Sequence, residues 1–236
     1  MRRNSDSSDW KPAAIPAGGD PVARFDRLAA EWDANPGRVA VARSVADAIR
    51  RDVPLRRDMD VLDFGAGTGL LSLSLLPDVG QVTAVDASGE MLAVLEAKVR
   101  TAKLANVRTL QCDVRSDPLP RAAFDLVVSS MVLHHIPDPA AVLTALVASL
   151  RPGGGVAIAD LDHEDGSFHT DPQGVFHHGF ERSEIRRLAE AAGLTNVCTR
   201  DAHVITRPDS EGKPQAYSVF LLTGRHDPSG PPLTRG

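Results

Sequence analysis

Three glycines at alternate positions, Gly65, Gly67 and Gly69, follow the apolar run Val61-Leu62-Asp63-Phe64 and precede the apolar stretch Leu70 to Leu76. A second apolar run, Val82-Thr83-Ala84-Val85, ends in Asp86. Bare main chain admits a ligand where a Cβ would collide. An acid at the tip of the next strand offers two oxygens to the two hydroxyls of a ribose. Strand, glycine loop, helix, strand and acid in this order form a nucleoside site of the doubly wound kind. The spacing is G-x-G-x-G, whereas a dinucleotide fold uses G-x-G-x-x-G to bring a helix N-terminus to a pyrophosphate. No Gly-Lys-Ser/Thr follows the glycines, which excludes a P-loop. Two plainer readings stand beside this one. The glycines also suit a tight turn with no ligand, and Asp86 also suits the N-cap of a helix that begins near Ser88.

Other reactive side chains fall later. His134-His135-Ile136-Pro137 opens a loop just past an apolar strand. His134 either faces a pocket, as acceptor binder or base, or caps the strand end, and His135 reads as an exposed neighbour. From Asp160 the chain concentrates titratable groups: Asp162, His163, Glu164, Asp165, His169, His177 and His178. Three readings compete there: a lid that supplies a general base, a solvated loop, or a metal site. No pair has a diagnostic ligand spacing, so no metal is expected. Phe25 and Trp32 suit either plain packing of an N-terminal helix or a flap over a ligand.

The elements that must position these groups alternate. Strands are expected over Asp60–Phe64, Gln81–Val85, Val107–Cys112, Phe124–Ser129 and Val156–Leu161, with helices over Gly69–Leu76, Gly89–Lys103 and Pro139–Leu150. Short apolar strands between amphipathic helices imply a parallel sheet covered on both faces, an α/β three-layer sandwich. A helix over Ser183–Ala192 and two further strands, Asn196–Ile205 and Ala216–Thr223, end the pattern as a hairpin closing the sheet. A helical segment with aromatic and acidic residues over Pro21 to about Pro36, and helical spacing over Arg38–Arg51, form an N-terminal cap of about residues 21–52. One domain over residues 21–224 is expected, with polar, flexible tails at 1–20 and 225–236.

Bulk properties narrow the class. The 236 residues, 42% hydrophobic and 24% charged, are enough for one domain with a buried core. A net charge of −5 argues against non-specific nucleic-acid binding. No apolar run approaches the ~20 residues that cross a bilayer, and no apolar core follows Arg2 and Arg3 to make a secretory signal. Cys112 and Cys198 give neither a disulfide framework nor a zinc spacing. A cytoplasmic monomer or homodimer is expected.

The stretches VLDFGAGTG (Val61–Gly69), TAVDAS (Thr83–Ser88), LQCDV (Leu110–Val114), FDLVVSSMVLHHIPD (Phe124–Asp138), LRPGGGVAIADL (Leu150–Leu161) and GFERSEIRRLAEAAGL (Gly179–Leu194) stand in the order and spacing of a known family. The chain resembles class I S-adenosylmethionine-dependent methyltransferases, in the broad group related to quinone-biosynthesis methyltransferases, over roughly Phe25 to Thr223. The resemblance implies a Rossmann-like, seven-stranded sheet with the last strand antiparallel, and S-adenosyl-L-methionine as cofactor. It implies that Gly65, Ala66, Gly67 and Gly69 pass under the methionine part, with Asp63 fixing the loop and the amino group. It assigns the ribose hydroxyls to Asp86, with Ala87 and Met91 beside it. It assigns the adenine amino group to Asp113, alternatively a solvated turn acid, with Cys112 and Val114 nearby. Ser129 and Ser130 lie under the sulfonium; many relatives carry Asn or Asp near Ser129. A small-molecule acceptor is implied, since the Asn/Asp-Pro-Pro-Tyr of amino-methylating relatives is replaced by Ser129-Ser130-Met131-Val132 and neither cysteine is placed as a cytosine nucleophile. His134, His163 and His169 are the candidate bases. The alternative is a non-catalytic or regulatory nucleoside-binding protein on the same fold, or a nicotinamide oxidoreductase.

Overall fold

The computed structural model describes residues 21–208 and 212–227; the expected tail at 1–20 and the end from 228 lie outside them. Seven strands form one sheet: β1 Asp60–Phe64, β2 Gln81–Asp86, β3 Val107–Gln111, β4 Phe124–Ser130, β5 Leu150–Leu161, β6 Leu194–Pro208 and β7 Pro214–His226, in the order β3-β2-β1-β4-β5-β7-β6. β1 to β5 pair in parallel, and β7 runs antiparallel between β5 and β6. The order reverses at β1 and β4, where an open α/β sheet leaves a crevice beyond its strand ends.

Side chains alternate along the central strands, as a two-faced sheet requires. Val61, Val82, Leu126 and Val128 join one core with Val45 and Ile49. Leu62, Phe64, Val85 and Val127 join the other with Leu143 and Leu146. The first core lies under α2 (Pro36–Asp52) and α3 (Leu70–Leu75), the second under α5 (Pro139–Ser149) and α6 (Arg182–Ala191), while Leu92 and Leu95 of α4 (Gly89–Ala102) pack on Ala84. Val45 and Ile49 are fully buried, each contributing ~1.5–3 kcal/mol over an exposed side chain.

Several boundaries differ from the sequence reading. The N-terminal segment is not one helix. α1 spans Pro21–Leu28, a 3₁₀ stretch covers Ala29–Ala34, and the Asn35 side chain caps α2 with Pro36 in its first turn. Proline fits that position because its missing N–H needs no partner there. The closing hairpin is longer than expected. Arg225 pairs with Gly155 and His226 with Leu194, so ordered strand replaces the first residues of the expected 225–236 tail. These ladder bonds carry no signal in a polar sequence. Within the described residues no helix is long and apolar enough to cross a membrane.

Candidate functional site

A cavity of about 630 Å³ opens at the carboxyl ends of β1, β2 and β4. The turn after β1 forms its floor. Gly65, Gly67 and Gly69 all have positive φ, 68°, 55° and 81°, and their surroundings differ. A Cβ on Gly69 would lie 2.3 Å from Leu95, so helix packing demands that glycine, and it does not line the cavity. A Cβ on Gly67 would meet nothing closer than Met91 Sδ at 3.9 Å and would project into open cavity. Gly65 and Ala66 line the same space.

Asp86 ends β2 and braces this turn. Its Oδ2 accepts from the Gly67 amide at 2.7 Å and its Oδ1 from the Ser88 amide at 2.8 Å. The N-cap of α4 is Ser88, whose hydroxyl accepts from Met91 N, so capping does not account for Asp86. Burial raises the Asp86 carboxyl, and the backbone N–H groups oppose that rise. Asp63 stands behind it, fully buried, accepting from the Ser72 hydroxyl at 2.5 Å. Burial pushes Asp63 up to about 7; the Ser72 bond opposes the rise and the Asp86 charge adds to it.

Ala87, Met91, Cys112, Asp113, Val114 and Ser130 also line the cavity. The Asp113 carboxylate is engaged by Arg115, with bonds of 2.8 Å from Nε and 2.6 Å from Nη2 that hold it below the usual carboxylate range. Ser129 is fully buried away from the cavity and donates to the Phe64 carbonyl at 2.8 Å. Its hydroxyl ties β4 to β1.

The N-terminal elements line the cavity as well and are tied to its floor. The Ser88 hydroxyl donates to Asp26 and the Thr68 hydroxyl to Asp33, both at 2.5 Å, and Lys98 pairs with Asp33. Phe25 and Trp32 lie 5.9 Å apart, centroid to centroid, on the cavity wall.

The histidines gather at the other end. His134 sits in a 3₁₀ turn, Leu133–His135, directly after β4. It is 1% exposed, and its Nδ1 lies 2.6 Å from Oδ1 of the fully buried Asp160. A carboxylate only accepts there, so Nδ1 carries a proton and donates it to Asp160. His135 is not the exposed neighbour expected. It is half-buried, packs edge-on against Phe25 at 5.2 Å and donates from Nδ1 to the Gly174 carbonyl at 2.7 Å. Its helical turn rolls it inward beside His134. The loop from Asp162 brings His169 within 5.0 Å of the His134 ring, whereas His163 is exposed and outside the cavity. That loop is pinned by Phe176 N and His177 N, which donate to the His134 carbonyl. Burial lowers His135 well below the ordinary imidazole value and lowers His169 to about 3, with the neighbouring His134 adding to both.

Sequence reasoning missed three arginines, Arg24, Arg38 and Arg207, and the wall residues Phe168 and Ile205, all of which line this end. They come from α1, α2, the loop after β5 and the end of β6. No local pattern joins segments so far apart.

Open main chain at Gly67, a buried acid bonded under the turn and an apolar strip along Met91 and Val114 suit an adenosine bearing a cationic sulfur. Comparisons with known proteins agree. A family model described as a methyltransferase domain matches residues 61–154. An uncharacterized methyltransferase of Schizosaccharomyces pombe is 35% identical over 154 residues; the match covers 59% of this chain and 54%, about half, of that relative. A ubiquinone biosynthesis O-methyltransferase of Idiomarina loihiensis is 26% identical, over 75% of this chain and 79% of its own length. Among solved structures, a Bacillus subtilis protein aligns with TM-score 0.64 at 19% identity, over 78% of this chain and 98% of its own. An S-adenosylmethionine-dependent methyltransferase of Aquifex aeolicus aligns with TM-score 0.61 at 23% identity, over 89% and 100%. The domain match runs from β1 into β5 and takes in the cavity floor, so residues 61–154 are similar to a methyltransferase domain, and the 3-2-1-4-5-7-6 sheet around them is the fold shared with these solved structures.

Proposed function

We propose that this protein transfers a methyl group from S-adenosyl-L-methionine to a small-molecule acceptor held at the histidine end of the cavity. The observation that carries the reading is one cavity lined both by the Asp63–Gly67–Asp86 floor and by His134. Asp86 would take the ribose hydroxyls, since each of its oxygens accepts one main-chain N–H and has a lone pair left. Asp63 and the glycine turn would hold the methionine part, and Cys112, Val114 and Met91 the adenine. The cofactor supplies an activated methyl carbon on a good leaving group. The protein's task is then to align the acceptor and exclude water.

Phe25, Trp32 and Phe168 exclude water from the acceptor end. His134 takes the acceptor's proton at Nε2, and Asp160 stabilises the imidazolium that results. His169, neutral at physiological pH, lines the same wall. His163 has no part in this scheme. The Arg115 pair directs Asp113 to a supporting role at the adenine edge. An acceptor of this size, a cytoplasmic location and the absence of nucleic-acid partners belong to the same proposal.

The test is to incubate the protein with S-adenosyl-L-methionine and a panel of small phenols, thiols, amines and acids, and to follow S-adenosylhomocysteine. Turnover with one class of acceptor is expected. Binding of the cofactor with no turnover by any acceptor would favour the regulatory alternative.

A further inference from the structure

The acceptor end carries two guanidiniums, Arg38 and Arg207, that no acid among the described residues pairs with. Arg38, in the first turn of α2, stacks its guanidinium 3.7 Å from the centroid of Trp32 and donates from Nη1 to the Trp32 carbonyl at 3.3 Å. Arg207, at the end of β6, stacks 4.1 Å from the centroid of Phe168 and donates from Nη1 to the Phe168 carbonyl at 2.8 Å. Each is held by an aromatic face and a carbonyl, with Nε and Nη2 uncommitted. Among the described residues, neither meets a carboxylate. Arg24 joins them on the cavity wall, with its own charge partly answered by Asp171 at 3.8 Å. Arg207 and Arg24 lie close enough to Arg38 to act on it: burial lowers it first, and the two neighbouring cations lower it further.

Gathering like charges in a concave, aromatic-lined space costs free energy unless an anion enters. The planar fork of a guanidinium matches a carboxylate or phosphate through two parallel hydrogen bonds. The walls between the arginines, Val41 and Ile205 with Phe168, suit an apolar body. Resting on the methyl-transfer reading, we propose that the acceptor is an organic oxyanion, a carboxylate or phosphate on an apolar body, whose charge is held by Arg38 and Arg207 and whose reactive heteroatom lies at His134.

A competing use of this end is a metal site. One ligand atom each from His134, His135 and His169 lies within 4.8 Å of the others. Both His134 and His135 commit Nδ1 to an acceptor, as metal-bound imidazoles do. The guanidiniums of Arg24 and Arg207, whose charges reach His169, oppose a dication and favour an anion, and Asp160 is already engaged by His134. Charge therefore decides for the oxyanion.

The experiment titrates the full chain, saturated with S-adenosylhomocysteine, with benzoate, phenyl phosphate and benzamide in a calorimeter. At least one anion is expected to bind at least ~10-fold more tightly than benzamide, the better of the two identifying the group. Arg38→Gln and Arg207→Gln are each expected to weaken anion binding ~10-fold, the step expected for one charge-assisted bond of ~1.5 kcal/mol. Arg207→Lys, which keeps the charge and loses the fork, falls between. S-adenosylhomocysteine affinity stays unchanged in all three. Equal binding of benzamide and the anions, no anion binding, unaltered anion binding in the double glutamine variant, or its loss on chelator treatment would overturn the proposal. Failure of wild-type protein to bind S-adenosylhomocysteine would instead overturn the cofactor reading.

Discussion

The two ends of the cavity are built from opposite charges. At the floor, Asp63 and Asp86 lie close enough for the Asp86 charge to raise Asp63. Arg24, Arg38 and Arg207 line the same cavity as three imidazoles, and the charges of Arg24 and Arg207 reach His169. On the proposed reading the acids suit a cationic methyl donor and the guanidiniums an anionic acceptor, and the field along the cavity would order the two molecules. The ends also differ in construction. The floor is β1, its turn and the tip of β2, within 26 residues from Val61 to Asp86. The basic end draws on α1, α2, the turn after β4, the loop after β5 and β6.

This contrast makes separable predictions. The largest effect is expected at His134. His134→Gln should lower kcat by ~10²–10⁴-fold, the span of a lost general base. Glutamine can still donate to Asp160, so S-adenosylhomocysteine affinity, read by calorimetry, should stay within ~3-fold of wild type. Equal loss of both would place His134 in the fold and not in the chemistry.

Asp86→Ala tests the other end. It removes the proposed ribose bonds and leaves the Gly67 and Ser88 amides without their acceptor. Cofactor affinity should fall ~100-fold or more, at ~1.5–3 kcal/mol for each hydrogen bond to a charged group. An unchanged dissociation constant removes the ribose assignment.

Acidity supplies a third test. Burial, chiefly, raises the free Asp63 carboxyl to about 7, and the cofactor's ammonium would favour its ionised form. The bound state therefore releases a proton. Affinity should rise with pH by up to ~10-fold per unit below about 7 and level off above it. Titrations across that range should show the slope in wild type and a flat profile, at weaker affinity, in Asp63→Asn.

The smallest expected effects separate two neighbouring glycines. Gly69→Ala drives a Cβ into Leu95 and should cost ~1–3 kcal/mol of stability, seen as a lower Tm. Gly67→Ala projects into the cavity. It should cost less stability and reduce cofactor affinity ~10-fold, by denying the ligand its approach to the main chain. Identical behaviour of the two variants would show that the turn is shaped for packing alone.

Much of the architecture was legible because parallel sheets write themselves locally. Each buried strand is a short apolar run, and each covering helix repeats at its own period. The N-terminal cap was legible only in outline, because Pro36 and the 3₁₀ turn before it depend on where Asn35 caps. Ser129 and Ser130 are adjacent in sequence, yet only Ser130 lines the cavity, since neighbouring residues of a strand point to opposite faces. His163 and His169 looked equivalent in one polar loop, and the path of that loop over His134 separated them.

Composition and spacing by themselves determined the alternating α/β order, the glycine turn and the acid that follows the second strand. These are short-range properties, set by backbone sterics and by the periods of strand and helix. Tertiary structure alone decided the joining of His134 to Asp160, the inward turn of His135 and the meeting of Arg38 with Arg207. Those pairs bring together residues 26 to 169 positions apart. Distant segments meet only when the sheet closes and its hairpin folds back, and no periodicity records which side chains will then share a wall.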